Sequence, residues 1–131
     1  MPSLYVILDK KIPGADIYVN GNSLSKNSDE LERMARRLEV RSLMSFFSVS
    51  NEELKALTEQ YGVDISKGKA ASEEKWFAPE EGLRTVNSLL GSLAGSKLGH
   101  DDRVKLELLE FVRVLELAKT NGRRWHLGID Y

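Results

Sequence analysis

Two strand-like segments stand at opposite ends of this chain, and the stretch between them is dominated by helical periodicity. Leu4–Leu8 is an unbroken apolar run rich in β-branched and aromatic residues, the pattern of a strand covered on both faces. Near the other end, Trp125, Leu127, Ile129 and Tyr131 alternate with His126, Gly128 and Asp130, the pattern of a half-buried strand. Small sheets need partners. Little else in the chain can pair with either segment, so the sequence predicts that the two ends share one sheet. Asp16–Val19, closed by Asn20-Gly21, is a further short candidate.

Helical signals fill the middle. Asp29, Glu30 and Glu32 favour the positive end of a helix over 28–38, capped by Asn27 or Ser28, with Leu31, Met34, Ala35 and Leu38 on one face. Ser42–Phe47 reads as a short helix. Ser50 followed by Glu53 is a capping box for a helix over 51–61, with Leu54, Leu57 and Tyr61 inward and Gly62 ending it. Asp64–Lys75 is polar and aperiodic, a loop. Pro79 with Glu80 and Glu81 opens a helix over 79–95, with Leu83, Val86, Leu90 and Leu93 as its stripe.

A longer helix spans 101–121, started by Asp101 or His100 and stopped by Gly122. Val104, Leu108, Phe111, Val112, Leu115 and Ala118 make its main stripe. At about 100° per residue, Leu106, Leu109 and Leu117 point elsewhere. Their burial inside the monomer is the favoured expectation, and a homodimer is the alternative. The fold class is therefore α+β: a small sheet from about 3–9 and 124–131, with 16–19 as an optional member, against about four helices.

Composition sets the outer limits. The 131 residues suffice for a single globular domain over 1–131 with a sizeable core. Nineteen Lys and Arg against 20 Asp and Glu leave a net charge of −1, which argues against a nucleic-acid partner. No apolar run reaches about 18 residues, so no membrane span is expected. The first residues lack the basic start of a signal peptide. The lack of cysteine removes disulfides, thiol catalysis and cysteine–zinc sites, and fits a cytoplasmic protein. The two histidines, His100 and His126, have no ligand spacing, so no metal is predicted. With no Gly-x-Ser-x-Gly elbow and no phosphate-cradling glycine loop, no cofactor is predicted either.

Candidate site residues fall into two groups. His126 and Asp130 share one face of the last strand about 13 Å apart, too far for a dyad. They could flank a cleft beside Gly128, joined by Asp9 from the end of the first strand. The competing expectation is a solvated face, with His126 accessible. Trp76 and Phe77, with Glu80 after them, are either a recognition anchor or a clasp that pins the preceding segment to the core. Gly82, on the stripe side, would let a bulky group such as Trp76 or Trp125 approach. Arg123-Arg124 and the Arg33, Arg36 and Arg37 group follow helix ends, where cations are favourable. The sum favours a non-enzymatic protein-interaction or regulatory module, binding a protein or itself. The alternative is a small-ligand-binding protein or an enzyme with a cleft around Asp9, His126 and Asp130.

Overall fold

In a computed structural model, the described residues are 2–48 and 74–130. The two chain ends meet as the sequence requires. Strand β1 (Ser3–Leu8) pairs antiparallel with β2 (Trp125–Asp130), Ser3 opposite Asp130 and Leu8 opposite Trp125. Leu4 and Val6 of β1, with Trp125 and Leu127 of β2, turn inward and are buried. Helices α1 (Asn22–Lys26), α2 (Ser28–Arg37), α3 (Pro79–Ser92) and α4 (Asp102–Thr120) pack around that inner face. The fold is α+β. A 3-10 turn, Leu43–Phe46, puts Phe46 in the core, where the sequence places a short helix. The helix over 51–61 with its capping box, and the loop residues 64–73, lie outside the described residues.

Helix ends follow local chemistry. The Asp101 carboxylate accepts from the Arg103 and Val104 amides and starts α4. Pro79, at the first position of α3, has no N–H to leave unpaired. A Cβ on Gly82 would overlap the Trp125 ring, so this helix lies directly on the tryptophan. Asn27 occupies the N-cap position of α2, but its amide donates to the Ser23 carbonyl and does not cap. Helix α1 has no counterpart in the sequence analysis. Five residues with one inward leucine, Leu24, carry no readable period.

Three expectations are corrected. Residues 16–19 form no strand. Arg113 of α4 donates to the Asp16 and Tyr18 carbonyls, at 2.6 and 3.3 Å, and holds this segment toward the helix. It regains β1 only at Gly21, which exchanges two backbone hydrogen bonds with Leu4. A Cβ on Gly21 would stand 2.6 Å from the Leu4 carbonyl oxygen, so close backbone approach explains the glycine.

The second correction concerns α4. Leu106 and Leu109 are 62% and 44% exposed, not packed beneath another element. The helix lies on the outside of the molecule. Its fully covered stripe is Val104, Leu108, Phe111, Val114, Leu115 and Ala118, with Val112 half-buried against the core. The third correction is His126, which is fully buried.

Candidate functional site

The outer face of the β1–β2 ribbon is where the candidate residues fall, and it is not bare. The chain from Glu74 onward crosses it. The Trp76 ring lies over the His126 imidazole, centroids 4.7 Å apart, and the Glu74 carboxylate meets His126 Nε2 at 2.5 Å. His126 Nδ1 lies 2.9 Å from the Leu127 carbonyl. A carbonyl only accepts, so Nδ1 carries a hydrogen, and one further proton sits between Nε2 and the carboxylate. Every polar atom of this buried imidazole is thus matched. Gly128 leaves room for Tyr5 and Ile7: a Cβ there would fall 2.6 Å from the Tyr5 ring.

Phe77 closes the far edge of β2. Its N–H and C=O bond the C=O and N–H of Trp125 at 2.8 and 3.0 Å. The Phe46 ring meets Phe77 edge to face and Trp125 at a tilt beside it, and the Arg41 guanidinium lies 4.5 and 4.4 Å from the Phe46 and Phe77 centroids. Ser48 adds a bond from its N–H to the Leu127 carbonyl and accepts the Lys75 N–H on its hydroxyl. Trp76 and Phe77 are therefore both engaged within the molecule.

The remaining candidates do not converge. Asp9 ends the ribbon, where its carboxylate accepts the Arg124 N–H. Asp130 is exposed opposite Ser3, six strand positions or about 20 Å away. Glu80 is exposed in the first turn of α3, where the dipole favours it. Arg33, Arg36 and Arg37 are ion-paired with Glu30 or Glu32 of their own helix. Among the described residues, no group of three potential metal ligands comes together, and no helix is long and apolar enough to cross a membrane.

Among the described residues, a concave feature lies along the edge of β1 beyond Leu4. It is a groove of about 710 Å³ between the strand and the segment Ala15–Val19, with Tyr5 and Ile7 on one side and Ile17 and Tyr18 on the other. Asp130 stands at one end and Lys11 is also in its wall. Tyr18 is 72% exposed at its rim. Of the cleft residues that the sequence offers, Asp130 lines this groove while Asp9 and His126 do not, and the sequence pointed to neither Tyr18 nor Glu74. Compared with known proteins, the chain matches no family model, no curated protein and no solved structure.

Proposed function

We propose that this protein is a non-enzymatic protein-interaction module, one domain over residues 1–131, working in the cytoplasm. The observation that carries the reading is the groove beside β1: a long, largely apolar concavity with an exposed tyrosine at its rim. Exposed apolar surface of this kind is what a docking partner covers. The acidic and imidazole groups that chemistry would need are spread over the ribbon, and His126 is spent on Glu74 and a backbone carbonyl. Zero cysteine fits a reducing compartment. Near-balanced charge and the ion-paired arginines of α2 give a nucleic acid little to bind. A small-ligand reading keeps one support, since the groove falls within the roughly 300–1,000 Å³ of ligand pockets.

Site-specific photo-crosslinking in cells tests the module. A photoreactive residue at position 18 should yield a discrete adduct with another protein. The same residue at exposed Glu116 should not. Absence of any adduct at position 18, and at exposed Leu109 probed in the same way, sinks the interaction reading and promotes the small ligand.

A further inference from the structure

We infer that the groove is a slot for one extended peptide segment of a partner protein, which enters as a strand between β1 and residues 15–19. The inference rests on the interaction-module reading and names the partner's chemistry. It starts from the direction of backbone groups. Asp9 donates its N–H to the Arg124 carbonyl, so Ile7, Tyr5 and Ser3 face β2 with theirs, and Leu4, Val6 and Leu8 face the opposite edge. Leu4 confirms the parity, for it bonds Gly21 on that edge. Beyond Leu4 the edge is open. The outward N–H and C=O of Val6 and Leu8 meet no partner among the described residues.

The opposing wall repeats the pattern. Arg113 takes the carbonyls of Asp16 and Tyr18, two positions apart, as alternate carbonyls of an extended chain allow. Ile17 and Val19 share the parity of Gly21, which faces β1. Their backbone groups also find no partner among the described residues. Two rows of donors and acceptors thus face one gap. The complement of such a gap is another peptide backbone, because only a strand offers donors and acceptors to both sides at the same spacing. Groove charge adds a polarity. A cationic side chain suits the Asp130 end and an anionic one suits Lys11, with apolar residues between them beside Tyr5 and Ile7.

A second copy of this chain fits poorly. Its β1 edge is flanked by its own residues 15–20, and its β2 edge is closed by Phe77 and Ser48. The described residues of a copy therefore offer no strand free on both edges.

The test selects a displayed random-heptapeptide library against the full-length protein, then titrates the enriched peptides into isotope-labelled protein by NMR. Enriched peptides should alternate apolar residues and shift the amides of Val6, Leu8, Ile17 and Val19. A strand held on both edges uses consecutive amides, so N-methylating any one of two adjacent central residues should weaken binding about tenfold. Peptides that tolerate both methylations, or that shift only residues around Leu106 and Leu109, overturn the slot while leaving the module reading intact. Failure to enrich any peptide overturns it too. So does slow hydrogen exchange at Val6 and Leu8 in the free protein, matching Tyr5 and Ile7, since the edge would then be filled already. The photo-crosslinking result judges the module separately, and a self-adduct there would replace the peptide by a second copy.

Discussion

The two edges of one small ribbon are finished differently. Along β2, Trp125 is hydrogen-bonded on both its outward groups by Phe77, Leu127 is bonded by Ser48, and three aromatic rings with Arg41 seal the joint. Along β1, Gly21 ties down Leu4, while the outward groups of Val6 and Leu8 meet no partner among the described residues and lie beside a groove. A two-stranded ribbon alone is marginal in water. Here burial of its inner face and the closed β2 edge stabilise it. Exposed edges invite pairing, and proteins normally blunt them. On the proposed reading, the closed edge serves support and the other serves recognition.

That contrast can be broken or sharpened by mutation. The largest effect is expected for Trp125→Ala, which empties the centre of the closed edge and should cost about 3–5 kcal/mol in urea unfolding. Glu74→Ala removes the partner of buried His126 Nε2 and should cost about 1–3 kcal/mol by the same measurement. Gly82→Ala drives a methyl into the Trp125 ring. Overpacking of about 1–3 kcal/mol should outweigh the roughly 1 kcal/mol gained by replacing a helical glycine, so the melting temperature falls. On the open side, Arg113→Ala frees the carbonyls of Asp16 and Tyr18. It should lose only about 1 kcal/mol, because the guanidinium is partly exposed, while hydrogen exchange across residues 16–20 accelerates. Smallest of all, Leu109→Lys should change stability by less than about 0.5 kcal/mol, with unaltered sedimentation mass, as expected for a surface position.

Much of this arrangement is written in local pattern. The apolar run at Leu4–Leu8 and the alternation after Trp125 identify the strands, and their isolation in the sequence identifies their pairing. Asp101 and Pro79 mark helix starts by chemistry that acts within one turn. Gly82 signals a bulky neighbour because a missing Cβ is a packing statement. The candidate site was far less legible. Alternation assigns His126 to the polar side of β2 but cannot reveal that Trp76 and Glu74, 50 and 52 positions earlier, cover that side. Glu74 sits in a lysine-rich stretch where one more charge carries no signal. The path of residues 15–19 beside β1 involves Arg113 reaching back to residues 16 and 18, a contact 97 and 95 positions apart. Leu106 and Leu109 mislead because apolar side chains are commonly exposed singly on folded proteins.

The pairing of residues 3–8 with 125–130 also governs when the molecule can fold. Its central ladder joins segments more than a hundred positions apart, so loop-closure entropy must be met before that ladder forms. On a ribosome adding about 5–20 residues each second, β1 is made roughly 6–25 s before β2. Through that interval Leu4–Leu8 is a five-residue apolar strand with both edges open, the kind of segment that pairs with whatever strand it meets. Arrival of β2 removes one of those edges. The nascent chain therefore has its greatest need of a chaperone just before residues 125–130 emerge.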